Sequence, residues 1–166
     1  LDEHIDGKKE NFTIRGIGIG APNGNYYTGC IEYPPNLVWK GRIELVELIE
    51  REFGIPAVLT NDANAAALGE MIFGAARGLD HFIMITLGTG LGSGLVVNGE
   101  IVYGNDGFAG ELGHIMAVEN GRQCGCGKRG CLETYVSASG IKRTVFELLA
   151  EETADSEFRK ITFSRL

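Results

Sequence analysis

Between Ala109 and Glu133 the chain reads AGELGHIMAVENGRQCGCGKRGCLE. Cys124, Cys126 and Cys131 fall within eight residues of one another, and His114 lies ten residues upstream of Cys124. Three thiols and one imidazole are the number and type of donors that a closed tetrahedral zinc site uses. Glycines stand between the thiols at 125, 127 and 130, where a tight loop needs backbone freedom. The fourth cysteine, Cys30, is remote in sequence, and three local thiols leave one over for any disulfide scheme. The ligand spacings are not those of a zinc finger. The expectation is a structural zinc held by His114, Cys124, Cys126 and Cys131.

Three further groups can do chemistry. Asn61-Asp62 follows the short apolar run AVLT and opens an alanine-rich segment, so it sits where a strand gives way to a helix. Open α/β sheets bind ligands at the carboxyl ends of their strands, and a carboxylate there can accept a proton from a hydroxyl. Asn and Asp are also good N-caps; one can cap while the other reacts. Gly88-Thr89-Gly90, after an apolar run, offers backbone N–H groups and a hydroxyl to a phosphate. No Gly-Lys-Ser/Thr follows, so it is not a Walker loop, and a ligand-free hairpin turn accounts for it equally well. Glu111 and Glu133 bracket the cysteine set. A carboxylate accepts hydrogen bonds from two adjacent hydroxyls, the pattern a sugar presents. A histidine on a metal keeps its other ring nitrogen for a hydrogen bond, so His114 can serve metal and substrate together. The plain alternative for both glutamates is exposed surface charge.

The composition sets limits on these readings. The 166 residues suffice for a real core in one domain or two small ones, and 44% hydrophobic with 22% charged residues is ordinary for a globular protein. The formal charge of −7 argues against general nucleic-acid binding, which wants a basic face. No stretch is long and apolar enough to span a membrane. The polar start LDEHIDGKKENF carries no signal-peptide core and no initiating Met, as expected of a processed or excised piece. Clustered thiols without a secretion signal point to the cytoplasm.

The elements that must position these groups follow an α/β pattern. Thr13–Gly20 reads as a buried strand. Its GIGIGA matches a dinucleotide fingerprint only loosely, because Pro22, Asn23 and Gly24 follow where a helix should open. Residues 21–40 read as an irregular loop; its Tyr26, Tyr27, Tyr33 and Trp39 serve packing or contact a ligand. Gly41–Phe53 reads as an amphipathic helix with Leu45, Leu48, Ile49 and Phe53 on one face, stopped by Gly54 and Pro56. Ala57–Thr60 is a strand and Asn61–Ala76 a helix. A second unit begins near residue 78 with the strand His81–Leu87. Gly88–Gly94 reads as a turn region, and a hairpin follows around Asn98-Gly99. Leu132–Ser137 and Gly140–Glu151 read as helical, and the tail from Glu152 has no closing element.

Taken in order, GIGAP, LTNDANAAALGE, TLGTGLGSGLVVNGEIVYG, AGELGHI and CGCGKRGCLE resemble the ROK family of repressors, open-reading-frame proteins and kinases, on its bacterial glucokinase side. The resemblance runs from about Ile14 to about Ser139, and AGELGHI with CGCGKRGCLE carries most of its specificity. It implies an actin-like ATPase (ribonuclease H-like) fold. Residues 1–77 would be part of the N-terminal domain, and 78–166 part of the C-terminal domain with the second phosphate motif and the zinc loop. It makes Asp62 the catalytic base and Asn61 a sugar ligand, and places Glu111, His114 and Glu133 on sugar hydroxyls. Gly88, Thr89 and Gly90 match the family's second phosphate motif.

The activity so implied is ATP-dependent phosphorylation of a hexose, glucose to glucose 6-phosphate, with ATP, Mg²⁺ and Zn²⁺ as cofactors. A cytoplasmic homodimer or homotetramer without nucleic-acid or membrane partners is expected. The rivals are a sugar-sensing transcriptional repressor of the same family and a non-catalytic, zinc-stabilised sugar-binding fragment. Two departures stand out. Asn23 occupies the place after GIGAP where the family usually has Gly, and no Asp-x-Gly-x-Thr phosphate hairpin occurs, so the chain resembles roughly the middle half of a family member.

Overall fold

The computed structural model describes residues 13–34, 38–153 and 155–160. Its first layer is a parallel pair, β1 (Ile17–Gly20) beside β4 (Ala57–Thr60), with Ile17 opposite Ala57 and Gly20 opposite Thr60. Parallel strands need a crossover. Here it comprises a short antiparallel pair, β2 (Ile31–Glu32) with β3 (Arg42–Ile43), followed by α1 (Leu45–Phe53). Ala21, Ile31 and Leu59 form the buried centre, and Ile19, Ile43, Leu45 and Val46 pack around it.

Three expectations change in this region. The strand predicted from Thr13 begins at Ile17. The loop predicted over 21–40 contains β2, and Pro35–Leu37 of it lie outside the described residues. The helix predicted from Gly41 begins at Leu45, because Arg42 and Ile43 are used by β3. Its expected apolar face is only partly used. Leu45 joins the core, whereas Leu48 and Phe53 are exposed.

Next comes α2 (Asp62–Phe73), capped by Asn61, whose side-chain oxygen accepts the Ala63 N–H at 2.8 Å. This helix packs against both β1 and a second, antiparallel sheet of order β5-β6-β7: Phe82–Leu87, Leu91–Val97 and Glu100–Ile101. The predicted turn over Gly88–Gly94 is in fact a tight turn at Gly88–Gly90 followed at once by strand, since Leu91 already pairs with Leu87. Gly92 and Gly94 sit in that strand for a steric reason. A Cβ at position 94 would come within 2.7 Å of the Ala67 Cβ, and one at position 92 within 3.0 Å of the Ala63 Cβ. Small residues on helix and strand therefore let the two backbones approach closely. The Asn98-Gly99 hairpin is as expected, with both residues at positive φ (54° and 74°).

After β7 the chain forms a long loop with a 3₁₀ turn at Leu112–His114, then α3 (Glu133–Val136) and α4 (Ala138–Glu151). Arg122 fastens this loop to both helices. Its largely buried guanidinium donates to the Thr134 carbonyl at 2.7 Å, the Gly140 carbonyl at 3.1 Å and Thr144 Oγ1 at 2.9 Å, and pairs with Glu147. It also lies 4.5 Å above the centre of the Tyr135 ring. The Arg122 and Arg143 guanidiniums hold the Glu147 carboxyl below its ordinary value. Of the tail, Glu157–Lys160 forms a 3₁₀ turn, while residues 154 and 161–166 lie outside the described residues.

The β1–β4 pair offers a direct test of this core. Leu59 is 1% exposed and its neighbour Val58 is 58% exposed. Leu59→Ala should cost about 3 kcal/mol in urea unfolding, whereas Val58→Ala should change stability by less than about 0.5 kcal/mol.

Candidate functional site

A cleft of about 820 Å³ opens where the N-terminus of α2, the β5–β6 turn and the 111–114 turn converge. Asn61, Asp62, Gly88, Thr89, Gly90, Glu111, His114 and Glu133 all line it. Residues spread over more than 70 positions of sequence thus face one space. Asn61 is the cap residue, and Asp62 is the first residue of the helix, exposed in the cleft. Both carboxamide and carboxylate lend an oxygen to the Ala63 N–H, at 2.8 and 2.9 Å. Capping therefore occupies one oxygen of each side chain.

The candidate metal donors also come together. The donor atoms of His114, Cys124, Cys126 and Cys131 all lie within 4.8 Å of one another. Zinc–sulfur bonds of about 2.3 Å and zinc–nitrogen bonds of about 2.0 Å at tetrahedral angles require edges of about 3.8 Å between sulfurs and about 3.6 Å between sulfur and nitrogen. Cys126 Sγ and Cys131 Sγ are 3.7 Å apart, and Cys124 Sγ is 3.6 Å from His114 Nδ1. The donors therefore fit a tetrahedral zinc. Nδ1 is the histidine atom facing the sulfurs, while Nε2 turns toward Glu111 Oε2 at 3.8 Å.

The thiols perturb one another. Burial pushes the Cys124 thiol well above the usual range, and its hydrogen bond to Glu133 adds to this. Burial and the Cys126 thiol raise Cys131. Burial acts against ionising Cys126 too, but a backbone hydrogen bond at Lys128 and the two neighbouring thiols outweigh it and hold that thiol below its ordinary value. A divalent cation would let all three ionise together. Burial raises the Glu111 carboxyl; His114 opposes that rise, and Asp62 and Glu133 reinforce it.

Several further residues shape the cleft. Pro22, Asn23, Tyr33 and Phe108 line it. Asn23, in the place usually taken by Gly, has φ 54°, a conformation Asn tolerates, and its Nδ2 donates to the Glu32 carbonyl at 2.8 Å. Of the loop aromatics, Tyr33 reaches the cleft, while Tyr26 stacks on Tyr103 with ring centres 4.2 Å apart. Asn25 is buried and clasps two loops. Its Oδ1 accepts the Tyr27 N–H at 2.9 Å, and its Nδ2 donates to the Asp106 carbonyl at 2.8 Å. Nothing in an Asn-Gly-Asn run foretells a partner 81 positions away.

The ROK family profile matches residues 1–163. The chain belongs to the ROK family. It is 46% identical over 154 residues to a glucokinase of Halalkalibacterium halodurans, covering 91% of this chain and 46% of that protein. A crystal structure of a ROK glucokinase from Streptomyces griseus, in complex with glucose and AMPPNP, superposes with a TM-score of 0.73 at 39% identity, covering 85% of this chain and 45% of that one. The xylose repressor of Bacillus subtilis is 38% identical over 134 residues, 81% of this chain and 35% of that protein. This ROK chain thus spans less than half the length of these relatives. The family contains both enzymes and regulators, so membership alone does not choose between them.

Two variants separate ligand identity from loop shape at the metal cluster. The protein prepared with zinc should carry one ion per chain by atomic absorption, and Cys131→Ser should carry none after dialysis. Gly130 has φ 76°, and a Cβ there would collide with the Val118 carbonyl oxygen. Gly130→Ala should therefore also lose the metal, although all four donors remain.

Proposed function

We propose that the protein to which this ROK chain belongs is an ATP-dependent hexose kinase, converting glucose to glucose 6-phosphate. The observation that carries the reading is the single cleft that gathers Asn61, Asp62, Glu111, His114, Glu133 and the Gly88–Gly90 turn. The similarity to a glucokinase, and to a glucokinase complexed with glucose and AMPPNP, supports the same substrates. The accompanying architecture is an actin-like ATPase fold, with residues 1–77 in the N-terminal domain and 78–166 in the C-terminal domain. The same reading carries a cytoplasmic location and a homodimer or homotetramer; as a separate observation, no described helix is long and apolar enough to cross a membrane.

In this mechanism Asp62 accepts the proton of the sugar 6-hydroxyl as that oxygen bonds to the γ-phosphorus of ATP and the bond from that phosphorus to the β–γ bridging oxygen breaks, releasing ADP. A carboxylate is a weak base toward an alcohol, so the proton moves late, and most of the rate comes from positioning and charge stabilisation. The free amide group of Asn61, the Glu111 and Glu133 carboxylates and His114 Nε2 hold the remaining hydroxyls. The Gly88–Gly90 turn presents backbone N–H groups and the Thr89 hydroxyl to phosphate oxygens. ATP would supply the transferable phosphoryl group, and Mg²⁺ would supply charge neutralisation for it. Zinc on His114 Nδ1 and the three thiolates would fix the imidazole's orientation and the loop leading to Glu133, away from the reacting phosphorus.

A sugar-sensing repressor is the second reading, supported by the similarity to the xylose repressor. The carboxylate of Asp62 in the cleft beside the glycine turn favours the kinase, because a sensor needs no base. A zinc-stabilised sugar-binding module without activity is the third.

A coupled ADP-release assay of the full-length protein over a panel of hexoses tests the choice. Turnover should favour glucose, and Asp62→Asn should reduce it by about a hundredfold or more while leaving glucose binding within a few-fold. Mutant turnover equal to wild type would remove Asp62 as the base. Sugar binding without turnover on any hexose would decide for the repressor or the binding module.

A further inference from the structure

Glu133 reaches in two directions. Its Oε1 lies 3.0 Å from Cys124 Sγ and 3.6 Å from His114 Nδ1, at the metal cluster. Its Oε2 accepts the backbone N–H of Leu91 at 3.3 Å, across the cleft on the turn that joins β5 to β6. The space beside that oxygen is left by Gly90, where a Cβ would stand 2.6 Å from Oε2 and 3.7 Å from the carboxylate carbon. Gly90 has no positive φ to explain its identity. Its only nearby obstacle among the described residues is the carboxylate itself, the movable end of a flexible side chain, so alanine at 90 would displace the carboxylate rather than the backbone. The same turn is tied to the far side of α3 as well, through the Ala138 N–H to the Gly88 carbonyl at 2.9 Å.

We propose that Glu133 and the Gly88–Leu91 turn form one mechanical unit, in which Gly90 is a positioning residue for the sugar site and Glu133 a positioning residue for the phosphate turn. The second glycine of the turn is then glycine for the sake of the carboxylate, whatever it also allows a phosphate. The consequence for the reaction rests on the kinase reading; the contact itself does not.

The test is a double-mutant cycle on the zinc-loaded protein, reading glucose affinity by calorimetry without nucleotide. Gly90→Ala should weaken glucose about tenfold, although no atom of Gly90 need touch the sugar. Glu133→Ala should weaken it at least as much, and the double variant should be no worse than Glu133→Ala alone. Additive losses, or a Gly90→Ala protein that binds glucose like wild type and loses only Mg·AMPPNP affinity, would overturn the proposal. A second readout is independent of any sugar. In amide ¹⁵N–¹H spectra the Leu91 resonance should move in both Gly90→Ala and Glu133→Gln, and an unmoved resonance in both would overturn it as well. A wild-type protein that binds no glucose would refute the kinase reading while the Leu91 resonance still decides the contact.

Discussion

The close approach of α2 to β6 is the constraint on which the rest of the cleft depends. Ala63 and Ala67, one helical turn apart and both buried, lie against Gly92 and Gly94 of the strand. Any larger residue at these four places would push helix and sheet apart. Asp62 immediately precedes Ala63, and Leu91 immediately precedes Gly92, so the separation of the two backbones is also the separation of the carboxylate from the glycine turn. A contact between methyl groups and bare backbone thereby fixes a distance between polar groups that themselves contribute nothing to holding it. Interiors are packed densely enough for such a setting to be transmitted without slack.

The other wall of the cleft is built on a different principle. The segment from Tyr103 to Cys131 has little regular structure, and polar contacts fix it instead. Asn25 holds its beginning to the first layer, Ser93 Oγ donates to the Gly110 carbonyl near its middle, and Arg122 binds its far end to α3 and α4. Each is a buried or half-buried donor whose partners are mostly backbone carbonyls. Such bonds give modest net stability but are expensive to leave unmade, which favours one conformation of the loop over its many alternatives.

These two modes explain what the sequence could and could not disclose. That His114 and the three thiols would converge was legible because all four lie on one local segment, and their donor atoms do come together. Asn61-Asp62 was legible as a pair at a strand–helix junction, where both side chains share the Ala63 N–H and both line the cleft. The start of β6 was misread because Gly88–Gly94 is dense in glycine, the usual mark of a turn. Here two of those glycines serve a helix that arrives from thirty residues earlier, information that no local window holds. The β2–β3 pair escaped for the complementary reason: two residues on each strand are too few to show alternation. Asn25 gave no signal by type, since its partners are supplied only by the fold, whereas Asn23 and Tyr33 stood out in the sequence and both line the cleft.

All four donors of the metal cluster fall between His114 and Cys131, within a single short stretch of chain. Closing a loop of that size costs less entropy than joining donors from distant parts of the chain, although the cost grows only slowly with length. An ion held by this stretch would need no ligand from any other part of the chain. Metal binding is folding free energy when no preformed site exists, so capture would order the segment that carries His114 and set α3 at its end. Zinc held there would tie the stability of this wall of the cleft to the metal, independently of the apolar contacts that hold the other wall.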